Sequence, residues 1–135
     1  MTEEVGYPGA VASAAAGITY RLLDYWSRTG FVKPSGPADG QGSPPAYFRR
    51  DVLKLALARQ LVALGVSHDS LRASFKNLDG LPPGMLSRAV LIVDGSVVRL
   101  ATAGGDAGTD GEQVLIDVEA VWDEVGLGLQ QRSPD

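Results

Sequence analysis

Three places in this chain carry residue types that could hold a metal, move a proton or cradle a phosphate. They are the single histidine His68, the carboxylates Asp117, Glu119, Asp123 and Glu124, and the run Gly104-Gly105-Asp106-Ala107-Gly108. Each lacks the rest of its pattern. His68 has no neighbouring acidic cluster to complete a ligand set or a proton relay. The carboxylates fall at an expected helix start, where the helix dipole favours acids. The glycine run lacks both the Gly-Lys-Ser/Thr ending of a phosphate loop and the dinucleotide-binding spacing. With 0 cysteines there is no disulfide, thiolate metal site or thiol nucleophile. No nucleophile–base pair is visible, so the chain reads as a non-enzyme with no catalytic residue, metal or cofactor.

Charge points elsewhere. The net charge is −4, but residues 1–78 hold nine Lys/Arg and six Asp/Glu, a net of +3. Residues 79–135 hold three basic and ten acidic residues, a net of −7. Such asymmetry fits a nucleic-acid-facing first part and an acidic, partner-facing second part; a solvated acidic tail that meets no partner fits it as well. A length of 135 residues, 44% hydrophobic and 21% charged, supports one compact globular domain or a small domain with an appendage. No apolar run approaches the ~18 residues that span a membrane. The start Met-Thr-Glu-Glu lacks the basic residues of a secretory signal. The expectation is a cytoplasmic, nucleoid-associated protein with no membrane partner.

The elements that position the basic half lie between Ala10 and Arg50. Residues 1–7 read as a disordered arm. A small-residue helix follows Pro8 and ends at Gly17. Thr19 caps a second helix whose Leu22, Leu23 and Trp26 form an apolar stripe, with Phe31 joining the core. Tyr20, Arg21, Asp24, Tyr25 and Arg28 fall largely off that stripe. Residues 33–46 are rich in glycine and proline, which block helix and central strand. Alone they read as a linker; after two helices joined by a glycine turn they read as a wing. The layout is that of a winged helix-turn-helix. Asp51 then opens a third helix as a cap or first-turn acid, with Val52, Leu53, Leu55, Ala56, Leu57, Leu61 and Leu64 on its apolar face. Gly65 closes it, and Ser67 caps a fourth helix carrying Leu71, Phe75 and Leu78.

The breakers Asp79 to Gly84 mark a domain boundary. Beyond them Ala89–Val93, an Asp94-Gly95 turn and Val97–Leu100 read as a hairpin, residues 113–117 as a third strand, and 118–124 as a short helix. The expected organisation is an arm at 1–7, a DNA-binding domain at 8–79 and a linker at 80–88. A small acidic β/α appendage at 89–125 and a disordered tail at 126–135 complete it. The fold class is mainly α: about four helices plus a wing, followed by a β-hairpin-containing α/β appendage.

Residues 15–32, Ala-Ala-Gly-Ile-Thr-Tyr-Arg-Leu-Leu-Asp-Tyr-Trp-Ser-Arg-Thr-Gly-Phe-Val, resemble the helix-turn-helix signature of the MerR family of bacterial transcription regulators. Tyr47 with Arg50-Asp51-Val52-Leu53 is similar to that family's wing-end tyrosine and next helix. Leu61 to Ser67, with Leu71-Arg72 a turn later, is similar to its Leu-x-x-x-Gly-hydrophobic-Ser pattern. The resemblance covers roughly residues 8–78. It departs at Asp24, where the family commonly has a basic residue, although Asp-Tyr-Trp also resembles a subgroup. Pro45 stands where an arginine usually precedes the wing tyrosine. Gly80-Pro82-Pro83 replaces the start of the long dimerisation coiled coil of many members, and a cysteine-bearing sensor region is not implied.

The resemblance implies sequence-specific binding of double-stranded DNA and transcription control. Helix 19–29 would enter the major groove, with Thr19, Tyr20, Arg21 and Arg28 reading base edges or fixing phosphates and Tyr25 reaching the backbone. The wing at 33–48 would use Lys33, Ser35, Gln41, Ser43 and Tyr47 on flanking backbone or minor groove. Arg49 and Arg50 would clamp a phosphate, unless they are solvated helix-start residues. Useful specificity implies self-association on DNA. Two alternatives stay open: a protein–protein adaptor with a decayed winged helix and an acidic partner-binding half, and an architectural or recombination-directing DNA binder.

Overall fold

The computed structural model describes residues 6–36, 46–81, 88–95, 97–102 and 114–131. Among them are five helices and a small antiparallel sheet: α1 (Gly9–Ala16), α2 (Tyr20–Arg28), α3 (Arg49–Ala63), α4 (His68–Asp79), β1 (Ala89–Asp94), β2 (Val97–Thr102), β3 (Val114–Asp117) and α5 (Val118–Gln131). The helical first part and the small sheet agree with the expected fold class.

One device ends three of the helices. Gly17, Gly30 and Gly65 adopt left-handed φ values of 78°, 78° and 88°, which cost glycine nothing. Each is followed by an apolar residue whose amide reaches back five positions: Ile18 to Ser13 at 3.0 Å, Phe31 to Trp26 at 2.9 Å, and Val66 to Leu61 at 3.0 Å. These reverse turns satisfy carbonyls that the helix end would leave orphaned. Phe31 and Val66 are buried, and the Phe31 ring meets Trp26 edge-on, with centroids 5.4 Å apart. At the other ends, Thr19 accepts the Leu22 amide at 3.1 Å and Ser67 accepts the Ser70 amide at 3.2 Å.

The chain divides into two compact units, residues 1–59 with 123–135, and residues 60–122. The boundary expected at 80–88 is therefore not where the units part. In the first unit α1 meets α2 at Gly9, where an added Cβ would lie 3.0 Å from the Tyr20 ring. The C-terminal half of α5 packs there as well: a Cβ at Gly128 would lie 3.3 Å from Ala15 of α1. Nor is Tyr7 part of a free arm. It exchanges two 2.8 Å backbone hydrogen bonds with Tyr47. Residues 1–5 lie outside the description.

In the second unit α4 buries Leu71, Ser74, Phe75 and Leu78, one face of a helix. The sheet has the order β2-β1-β3, antiparallel throughout, with Leu91 opposite both Leu100 and Ile116. The hairpin closes on the pair Asp94–Val97, with Gly95 at φ 63° in the turn. Asp117 caps α5 by accepting the Glu119 amide at 3.1 Å.

Two expectations about apolar residues need correcting. α3 buries Val52, Leu53, Leu55, Ala56, Leu57, Ala58 and Leu61, but Leu64 is exposed, because the chain turns at Gly65 and Val66 takes the buried place. The tail expected at 126–135, and the short helix before it, are one helix that continues to Gln131 with Val125 and Leu129 buried.

Candidate nucleic-acid interface

α2 divides its residues cleanly. Leu23 and Trp26 are buried, Leu22 and Ser27 are half-buried, and Arg21, Asp24 and Arg28 are exposed. Tyr20 and Tyr25 present large aromatic surface, 59% and 51% exposed. Tyr20, Arg21, Asp24, Tyr25 and Arg28 fall at helical spacing i, i+1, i+4, i+5 and i+8, a single stripe opposite the core. Two tyrosines and two arginines on the outer side of a helix supply donors and exposed aromatic surface. Thr19 stands at the head of this stripe with its oxygen engaged in the cap.

Arg28 and Asp24 form an ion pair one turn apart, Nε to Oδ2 at 2.9 Å, with both side chains exposed, 69% and 52%. Asp24, a departure from the basic residue the resemblance leads one to expect, thus acts on the orientation of Arg28. Beyond the helix, Thr29 returns its hydroxyl to the Tyr25 carbonyl at 3.0 Å and closes the last turn.

The segment expected to be a wing is described at its two flanks. Gly36 and Ala46 exchange backbone hydrogen bonds of 2.8 and 3.3 Å, and Tyr47 pairs with Tyr7 on its other side. A Cβ on Gly36 would stand 2.7 Å from the Ala46 carbonyl oxygen, so only glycine fits that approach. Lys33 is exposed. Gln41 and Ser43 lie outside the described residues.

Asp51 holds this base to α3. It is 1% exposed, and its Oδ2 accepts the Phe48 amide at 2.9 Å, as the third residue of a helix does when it caps its own start. The same oxygen accepts the Ser35 amide at 2.9 Å, and Oδ1 accepts the Ser35 hydroxyl at 2.6 Å. Ser35 is itself exposed, but both its amide and its hydroxyl are engaged by Asp51, which argues for positioning over direct contact.

Tyr47 is buried, and its hydroxyl is hydrogen-bonded to Ser27 of α2. Burial pushes its phenol above the ordinary value, while the Ser27 bond pulls the other way. It joins α2 to the loop end from inside. The two arginines after it separate: Arg50 is exposed, whereas Arg49 is half-buried, its guanidinium against Gly126 of α5. Arg49 also lines a cleft of about 450 Å³ with Tyr7, Asp123, Leu129 and Gln130.

Some positioning residues have no local signature in the sequence. Ser27 reads as an ordinary helix serine. Arg59 donates to the Ala16 carbonyl at 3.2 Å, closing the end of α1 from a distant part of the chain. Asp51 was legible as a cap, but its hold on Ser35 was not.

The comparisons agree with this geometry. Residues 7–78 match the family model described as MerR HTH family regulatory protein. Three curated relatives, each named an uncharacterized HTH-type transcriptional regulator, come from Mycobacterium bovis and two strains of Mycobacterium tuberculosis. Each is 39% identical over 102 residues, a match covering 75% of this chain and 45% of the relative. The chain thus spans about half the length of the curated relatives it matches. The chain belongs to the MerR helix-turn-helix family of regulatory proteins.

Proposed function

We propose that this protein is a sequence-specific, double-stranded DNA-binding regulator of transcription, acting in the cytoplasm on the nucleoid. The observation that carries the reading is the outward stripe of α2, with Tyr20, Arg21, Tyr25 and Arg28 exposed together while Leu23 and Trp26 anchor the opposite side. In this reading Arg21 and Arg28 meet base edges or phosphates in the major groove, and the tyrosines bring hydroxyls and ring faces to the backbone. Lys33 and Arg50, both exposed, neutralise flanking phosphates. The segment 33–48 serves as the wing, its flanks held by Asp51 and Tyr47, and Gln41 and Ser43 within it contact the DNA. One module covers few base pairs, so two copies act on one site.

The test is fluorescence anisotropy on pooled genomic duplexes across a salt series, with Arg21→Ala and Arg50→Ala beside the parent. Fragment-selective binding is expected, lost in Arg21→Ala, with Arg50→Ala flattening the log–log salt slope by about 0.9. Binding that is flat across fragments, or absent at low salt, would sink this reading and leave the protein-adaptor alternative.

A further inference from the structure

The Asp24–Arg28 pair sets a question the DNA reading leaves open: why a carboxylate stands in the middle of a surface meant for a polyanion. Exposed ion pairs one turn apart on a helix contribute little to folding. Asp24 also removes a positive charge's worth of attraction from the stripe. Its presence is explained if the pair reads rather than attracts.

The geometry favours that role. Arg28 gives its Nε to Asp24 Oδ2 at 2.9 Å, which steadies the guanidinium and leaves N–H donors of its terminal amino groups for a further acceptor. Asp24 keeps Oδ1 as an acceptor. The pair therefore presents donors beside an acceptor on one exposed turn of the helix. A G·C base pair shows the complement in the major groove: the N7 and O6 acceptors of guanine beside the N4 amino donor of cytosine. Those two edges are themselves joined by a hydrogen bond of about 2.9 Å. An A·T pair puts an amino donor where Arg28 needs an acceptor, and a T methyl or O4 where Asp24 needs a donor.

Resting on the DNA-binding reading, we propose that Asp24 and Arg28 act as one unit that specifies a G·C pair, Arg28 donating to guanine and Asp24 accepting from the cytosine amino group. Asp24 also penalises other placements, since its charge meets a phosphate or a carbonyl wherever no amino group answers it.

The experiment is selection from a randomised duplex pool, followed by anisotropy on the selected site and on copies with each base pair exchanged. The parent is expected to prefer one G·C pair over A·T by about 10-fold or more, in the range of a good paired base contact. Asp24→Asn keeps the side chain's shape and removes its charge. It is expected to shrink that preference to about threefold or less while non-cognate duplex binds more tightly, by the loss of one repulsive charge. Asp69→Asn, an exposed acid in the first turn of α4, is the control for charge alone and should leave the base preference unchanged. A parent site with no G·C preference, or an Asp24→Asn variant that keeps the parent's preference at every position, overturns the inference while the DNA-binding reading stands. A parent that selects no site at all overturns both.

Discussion

Asp51 grips Ser35 with both carboxylate oxygens, Oδ1 taking its hydroxyl at 2.6 Å and Oδ2 its amide at 2.9 Å. Oδ2 also takes the Phe48 amide at 2.9 Å, so one buried side chain starts α3 and ties down the chain that leaves α2. A carboxylate is suited to this because it is an acceptor on both oxygens and sits in a first helical turn, where the peptide dipoles favour negative charge.

Replacing Asp51 by Ala strands three donors at once and removes the cap. Part-buried donors left without Asp51 and a lost cap together imply a loss of about 2–3 kcal/mol. Ser35→Ala removes one donor and leaves the two amides satisfied, for a loss of about 1 kcal/mol. Urea unfolding of both variants checks the order. Equal small losses would mean that Asp51 does not anchor this segment.

Much of the α2 region was legible because its rules are local. Thr19, Ser67 and the glycines at 17, 30 and 65 act within one helical turn, so residue type and spacing reveal them. The outward stripe of α2 follows from the 3.6-residue period and the placement of Leu23 and Trp26. Ser35, Tyr47 and Arg49 were legible as residues near the expected interface but not by role. Their partners are Asp51, Ser27 and Gly126, and nothing in their neighbourhood along the chain encodes those contacts. The length of α5 was hidden for a related reason. Gly126 and Gly128 lower helix propensity, and only their close approach to Arg49 and Ala15 shows why they are there.

Tyr47 gives the protein an alkaline limb. Burial holds its phenol above the ordinary value of 10.0; nearby Tyr20, Asp51 and Asp24 push the same way, and the Ser27 bond opposes them. Above pH 10.0 the unfolded chain releases this proton while the folded chain still holds it. Stability is therefore full below that pH and falls as pH rises toward the folded value. Tyr47→Phe keeps the ring, costs about 1 kcal/mol through the lost Ser27 bond, and should flatten this part of the alkaline loss. Urea midpoints of both proteins, followed from below pH 10.0 to above it, check the sign. An unchanged alkaline slope in the variant would mean that Tyr47 ionises alike in both states.

Gly126 should behave against the usual rule for helices. Gly→Ala inside a helix ordinarily stabilises by about 0.5–1 kcal/mol. Here the new methyl would lie 2.6 Å from Arg49 Cζ, closer than packed atoms come. The guanidinium must leave its seat in the cleft it shares with Asp123 and Tyr7, or the helices must part. The obstacle is the end of a flexible side chain, so Gly126→Ala should forfeit the ordinary helix gain as the guanidinium is displaced. In an Arg49→Ala background the obstacle is gone, and the same change should stabilise by the ordinary helix gain. The difference between backgrounds, read as a coupling energy from four urea curves, is specific to this contact. A gain in both backgrounds would show that Arg49 moves aside freely and that Gly126 is not there to seat it.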